Sequence, residues 1–238
     1  MSFYANFRGT VICITLDKRK NVYYNYIIVQ VKGRWGRMIT IGITGGSGSG
    51  KSTAARFLAQ QGAKWIDADL VYRSLTDHPT ECTLALAEEF GISVLQADGA
   101  LDRRALAAIV FDKTNKAQEA LARLNAITHR YVQEKCEEKL KEFREAGVSV
   151  TVLDVPLLFE SKMDKLCDVT IAFVAPREVR LERILKRDGI THEAAEARIA
   201  AQPNDDYYEK RATYTIKNDG DEGELQSALS DLLPSLTQ

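Results

Sequence analysis

Gly45-Gly46-Ser47-Gly48-Ser49-Gly50-Lys51-Ser52 decides the reading of this 238-residue chain. The stretch fits G-x-x-x-x-G-K-[ST], and both flanks suit it. Met38-Ile39-Thr40-Ile41-Gly42-Ile43-Thr44 is an apolar run that predicts a buried strand. Thr53-Ala54-Ala55-Arg56-Phe57-Leu58-Ala59 predicts a helix. Strand, glycine loop and helix in that order is the setting of a phosphate-binding P-loop. Glycines let backbone N–H groups crowd around a phosphate with no Cβ in the way. The helix N-terminus adds unpaired donors and a partial positive charge. Gly46 to Thr53 are therefore the expected nucleoside triphosphate contacts, with Lys51 on the terminal phosphates and the Ser52 hydroxyl on Mg²⁺. A glycine-rich linker matching by chance would not bring both flanks with it.

The composition is that of an ordinary globular protein, 45% hydrophobic and 27% charged. The net charge of −1 gives no global pull toward nucleic acid or membrane. No apolar run approaches the roughly 18 residues of a membrane span. The charge is uneven, however. Residues 1–37 hold seven basic residues against Asp17 alone, a net +6 that leaves −7 for residues 38–238. Asp17-Lys18-Arg19-Lys20-Asn21 interrupts the apolar pieces of this segment, which argues against a secretory signal. Val11–Leu16 and Val22–Val31 are expected strands around that charged turn. The alternative is that the working chain begins at Met38 and residues 1–37 are an extension without a catalytic part. Cys13, Cys82, Cys136 and Cys167 are widely spaced, with no C-x-x-C pair, and read as reduced thiols in a cytoplasmic protein.

Beyond the P-loop, strand and helix signals alternate. Lys64-Trp65-Ile66, Val148–Val155, Val169–Val174 and Tyr214-Thr215-Ile216 are short apolar or β-branched runs separated by helical patterns. The expected fold is α/β: a three-layer α/β/α P-loop architecture with about five parallel strands. Ligands in such sheets gather at the carboxyl ends of the strands. Residues from about 76 to 146 are mostly helical by pattern and too long for a simple crossover, so a helical substrate-binding insertion is expected there. The charged stretch from about 183 to 211 is the expected lid. For both, solvated helix faces are the plainer alternative.

A P-loop names the nucleotide but not the reaction. Asp67 and Asp69 lie at a strand end, two apart, so their side chains are expected to point in different directions. One carboxylate facing the pocket could accept a proton from an alcohol in phosphoryl transfer. An N-cap at Asp69 for the following helix is the structural alternative. Arg183 and Arg187 are four apart and share a helix face, where guanidinium groups could stabilise the charge on a transferring phosphoryl group. Asp154 ends a strand as a Mg²⁺-associated aspartate would.

With these pieces in order, the chain from Met38 to about Gly220 resembles the dephospho-coenzyme A kinase family. The P-loop is one matching segment. Ile66-Asp67-Ala68-Asp69 with Arg73 is a second. Ala97-Asp98-Gly99-Ala100-Leu101-Asp102-Arg103-Arg104-Ala105-Leu106, Leu124-Asn125-Ala126-Ile127-Thr128-His129 and Val155-Pro156-Leu157-Leu158-Phe159-Glu160 follow. Lys186-Arg187-Asp188, Ala201-Gln202 and Ile216-Lys217-Asn218-Asp219-Gly220 complete the set. The resemblance implies transfer of the ATP γ-phosphoryl to the ribose 3′-hydroxyl of dephospho-CoA, with Mg²⁺. It implies Asp69 as base, Lys51 as phosphate clamp and Ser52 as Mg²⁺ ligand; the family does not rely on an acid at Asp154, which is expected in a supporting place near the metal from its strand-end position alone. Arg183 and Arg187 would be lid arginines. Asp67, Arg73, Arg104, His129, Pro156, Leu157 and Leu158 would serve the acceptor.

Two departures carry structural expectations. Arg130 follows His129 where the family often has proline, so the helix should run on. Pro203-Asn204-Asp205-Asp206 should break a helix near Gln202. A nucleoside or nucleoside monophosphate kinase, and an ATP-binding regulator without catalysis, are the competing functions. The chain is expected to act as a monomer on ATP and dephospho-CoA, with no nucleic-acid or membrane partner.

Overall fold

The computed structural model describes residues 2–7, 10–15, 38–112 and 115–237, with side chains described from 38 to 112 and from 116 to 232. Ser2–Phe7 (β1) and Thr10–Thr15 (β2) pair antiparallel, with Ser2 opposite Thr15. The expected strand at Val11–Leu16 thus starts one residue earlier, and its partner lies upstream. The expected strand at Val22–Val31 and the charged turn before it lie outside the described residues.

The chain divides into two units. The first comprises the residues up to Trp65 and those from Phe143 onward. The apolar runs read in the sequence are strands: Ile39–Gly45 (β3), Lys64–Asp67 (β4), Val150–Asp154 (β5), Val169–Val174 (β6) and Tyr214–Lys217 (β7). They form one five-stranded parallel sheet in the order β4-β5-β3-β6-β7. Ile43 sits opposite Asp154 on one side, and Gly45 opposite Phe173 on the other. The P-loop therefore leaves the sheet from the strand between β5 and β6.

All six residues of β6 are buried, as expected of a strand covered on both faces. Ile171 and Phe173 join the helices Lys51–Gln60 (α1) and Glu222–Thr237 (α9) through Ala54, Leu58, Leu225 and Leu229. Ala172 and Val174 point the other way, to Tyr208 on Asp205–Glu209 (α8). Each such aliphatic or aromatic side chain contributes roughly 1.5–3 kcal/mol by leaving water. Arg177–Asp188 (α6) and His192–Ala200 (α7) pack together through Ile184, Ala195 and Ile199. The helix does break as expected: α7 ends at Ala200, and α8 restarts with the Asn204 side chain accepting from Tyr207 N–H.

The second unit runs from Ile66 to Glu142. It holds Ala68–Thr76 (α2), Glu81–Phe90 (α3), Arg103–Val110 (α4) and most of Asn115–Glu145 (α5). α5 passes Arg130 without interruption for 31 residues. Cys82, Leu86, Val94, Leu101, Leu106, Val110 and Ala120 form its core. Asp98-Gly99 makes a tight turn there, with Gly99 at φ 83° and Gln96 N–H donating to Ala100 O at 2.8 Å.

Cys82 and Cys136 are free thiols, burial pushes Cys136 up to about 12, and the Cys167 thiol donates to Met163 O at 3.5 Å. The Cys13 side chain lies outside the described residues. Among the described residues no helix is long and apolar enough to cross a membrane.

Candidate functional site

The glycine loop between β3 and α1 owes its shape to close approach from other segments. Gly50 caps α1 at φ 95°, and no side chain caps that helix. A Cβ on Gly50 would overlap the Asn218 side-chain amide. Asn218 is buried directly after β7, and its Nδ2 donates to Ser49 O at 2.8 Å. Gly48 has φ 79°, and a Cβ there would lie 2.6 Å from the Arg180 carbonyl oxygen. Two loop amides are committed within the protein: Ser49 N–H donates to Gly46 O at 3.1 Å, and Ser47 N–H to Gln202 Oε1 at 2.8 Å. The α1 N-terminus, uncapped by any side chain, keeps the partial positive charge that suits a phosphate.

Lys51 begins α1, and its Nζ lies 3.8 Å from the Asp154 carboxylate. Both side chains are largely withdrawn from water, 14% and 6% exposed. Asp154 closes β5 beside the P-loop strand, so the sheet register places it under the lysine. Ser52, the second residue of α1, is exposed. The Ser52 hydroxyl and the Asp154 carboxylate are hard oxygen donors, the kind Mg²⁺ takes. No cluster of three His, Cys, Asp or Glu suited to a metal occurs among the described residues. Mg²⁺ does not need one, because it relies on one or two protein oxygens and completes its shell with phosphates and water. The residues present fit it.

Three arginines of α6 face the loop in different ways. Arg180 is buried; its Nε donates to Ser47 O at 2.9 Å and its Nη2 to Gln202 Oε1 at 2.7 Å. Arg183 spends its guanidinium on backbone carbonyls: Gly220 at 2.7 Å, Asn218 at 2.9 Å and Gly48 at 3.3 Å. Arg187 is more exposed and forks onto Asp188, at 2.6 and 2.9 Å, while its Nη2 reaches Ser47 Oγ at 3.4 Å. Arg198 binds the same carboxylate. Hydrogen bonds from Arg187, reinforced by Arg198, hold Asp188 down at about 2.

After β5, Thr44 Oγ1 donates to Pro156 O at 3.1 Å, fixing the Pro-Leu-Leu turn. Leu157 is exposed, whereas Leu158 is fully buried against Gly42 and β3. The expectation that Leu158 contacts an acceptor is corrected here: it is a core side chain, and Pro156 and Leu157 are the accessible part of the turn.

In the second unit the acidic pair also reads differently from expectation. β4 stops at Asp67, and Asp67, not Asp69, is the N-cap of α2. Its Oδ1 accepts from Asp69 N–H at 2.9 Å and Leu70 N–H at 3.1 Å. Asp69 therefore stands in the first turn of a helix, exposed, and not at a strand end. Arg73 is exposed in the last turn of α2. Asp102 caps α4 by accepting from Arg104 N–H and Ala105 N–H, both at 2.9 Å. Arg103 is the engaged arginine, donating to Thr76 Oγ1 at 2.9 Å and Asp77 at 2.6 Å, and Arg104 stays exposed. His129 is half-buried on α5.

A profile of dephospho-CoA kinases matches residues 39–224, which takes in every one of these groups. The chain belongs to the dephospho-CoA kinase family. It is similar to the dephospho-CoA kinase of Lactobacillus johnsonii, with 37% identity over 196 residues, 82% of this chain and 97% of that one. The dephospho-CoA kinase of Moorella thermoacetica is 40% identical over 187 residues, 77% and 85% of the two chains. Among solved structures, the dephospho-CoA kinase of Campylobacter jejuni superposes with a TM-score of 0.61 at 27% identity, over 83% of this chain and all but 4% of its own. A Thermus thermophilus protein superposes at 0.70 with 34% identity, over 85% of this chain and all of its own.

Within this dephospho-CoA kinase fold, sequence reading missed Arg180 as a P-loop contact and gave Gln202 and Asn218 no role. Arg180 carries no distinguishing local signal, since α6 also bears Arg177, Arg183 and Arg187. Gln202 and Asn218 lay inside the matching segments, and that was the available signal.

Proposed function

We propose that this chain transfers the γ-phosphoryl group of ATP to the 3′-hydroxyl of the dephospho-CoA ribose. The observation that carries the proposal is the P-loop, with Lys51 and an uncapped helix start, in a chain that belongs to this family.

Gly46 to Thr53 hold the ATP phosphates through backbone donors at the start of α1. Lys51 bridges the terminal phosphates, and Asp154, 3.8 Å away, holds its ammonium in place. Ser52 would hold Mg²⁺ with Asp154 in support, and the ion when bound would supply charge neutralisation to the ATP phosphates. Asp69 accepts the proton of the 3′-hydroxyl as that oxygen bonds to the γ-phosphorus. The bond between the γ-phosphorus and the bridging oxygen breaks, and ADP leaves with those electrons. Arg187 stabilises charge on the transferring group. Arg183, bound to three carbonyls, shapes the loop on which that group sits. Asp67, Arg73, Arg104, His129, Pro156 and Leu157 are the acceptor's contacts, and a cytoplasmic monomer is the setting.

Incubating the full chain with ATP, Mg²⁺ and single acceptors tests the proposal. Conversion of dephospho-CoA to CoA supports it. Phosphorylation of nucleosides or nucleoside monophosphates alone refutes it, as does ATP binding without transfer to any acceptor.

A further inference from the structure

The backbone carbonyl, backbone amide and hydroxyl of Ser47 all have partners in residues 180–202. Arg180 Nε donates to the carbonyl at 2.9 Å. Gln202 Oε1 accepts from the amide at 2.8 Å. Arg187 Nη2 donates to the hydroxyl at 3.4 Å. Arg180 and Gln202 also bond each other at 2.7 Å, so the Ser47 carbonyl, the guanidinium, the carboxamide and the Ser47 amide close a ring of hydrogen bonds. Arg180 is only 5% exposed, with Asp205 at 3.9 Å as its nearby carboxylate. A Cβ on Gly46 would overlap its guanidinium.

A buried guanidinium is costly to desolvate and persists where its donors are satisfied. Here they are satisfied by the phosphate loop and by the segment that links α7 to α8. We infer that Arg180 and Gln202 act as one positioning unit, fixing the Ser47 peptide so that the loop keeps the shape that receives the ATP phosphates. This rests on the loop being the ATP site. Gln202 follows the end of α7, so the arrangement of α6, α7 and α8 is tied directly to the loop. Neither residue is placed on the reacting atoms. They belong to the ATP affinity and not to the chemical step.

Calorimetric titration of a non-hydrolysable ATP analogue with Mg²⁺, beside steady-state kinetics, tests this on the full chain. Arg180→Met and Gln202→Leu each weaken analogue affinity and raise the KM for ATP by about tenfold, the scale of one lost charge-assisted bond. The KM for dephospho-CoA stays unchanged, and kcat falls less than the ATP KM rises. The double variant is no weaker than Arg180→Met alone, because the pair acts as a unit. Gln202→Glu, which retains an acceptor for both donors, recovers most of what Gln202→Leu loses. A folded Gln202→Leu protein with wild-type analogue affinity overturns the inference, even if Arg180→Met does not fold. Multiplicative losses in the double variant overturn it too. Wild-type protein that binds the analogue but phosphorylates another acceptor overturns only the proposed reaction.

Discussion

Lys51 Nζ, at the start of α1, and the Asp154 carboxylate, at the end of β5, face each other at 3.8 Å, both shielded from water. In that environment their attraction is much stronger than on a surface. The ion pair holds the Lys51 ammonium beside the P-loop. Lys51→Ala should lower kcat/KM for ATP by about 10²-fold or more, the scale of removing one electrostatic contact to a transition state. Asp154→Asn should give a smaller loss, with Mg²⁺ needed at higher concentration. Steady-state kinetics at several Mg²⁺ concentrations check both, and unchanged kinetics in Lys51→Ala would refute the role of the loop.

Asp67 caps α2, and Asp69 in the first turn of the same helix is the proposed base. Asp69→Asn should retain ATP binding and lose about 10²–10⁴-fold in turnover, the usual range for a general base. Asp67→Ala should cost about 1 kcal/mol through the lost N-cap. Kinetics and chemical denaturation, run on both variants, distinguish the two roles. Near-normal turnover in Asp69→Asn removes it from the base role.

Gly50 and Gly147 share a positive φ, 95° and 73°, yet differ in surroundings. A Cβ on Gly50 meets Asn218, and one on Gly147 meets nothing within 4 Å. Gly147→Ala should cost only the backbone strain, about 1–2 kcal/mol, with activity intact. Gly50→Ala should displace Asn218 and the loop, abolishing measurable ATP binding. Thermal melts and analogue titration check the contrast.

Asp188 titrates near 2, below its ordinary 3.8, because Arg187 and Arg198 bond its ionised form. The depressed value means that the interaction stabilises the fold above about pH 4 and is lost as the pH falls toward 2. A carboxyl carbon NMR titration should place its midpoint near 2, and Asp188→Asn should flatten that part of the acid unfolding curve. A midpoint near 4 contradicts the fork between Arg187 and Asp188.

The sheet was legible because parallel strands buried on both faces read as continuous apolar runs: β5 and β6 appear within a residue or two of their limits. The P-loop was legible because its chemistry is local. What a single segment could not reveal were choices made by distant ones. The sequence pattern suggests an N-cap at Asp69, and the hydrogen bonds accepted by Asp67 put the cap two residues earlier. Leu157 and Leu158 are identical residues, one exposed and one in the core, because only Leu158 meets Gly42 across β3. Arg180 differs from its helix neighbours by facing Ser47 and Gln202, which lie 133 residues before it and 22 after it in the chain.

The most direct test of the account is a competition assay. The full chain is given γ-labelled ATP, Mg²⁺ and an equimolar mixture of dephospho-CoA, adenosine and cytidine monophosphate, and the labelled product is mapped. The account predicts label on dephospho-CoA, at the ribose 3′-oxygen. Label on adenosine or cytidine monophosphate with dephospho-CoA untouched would contradict it.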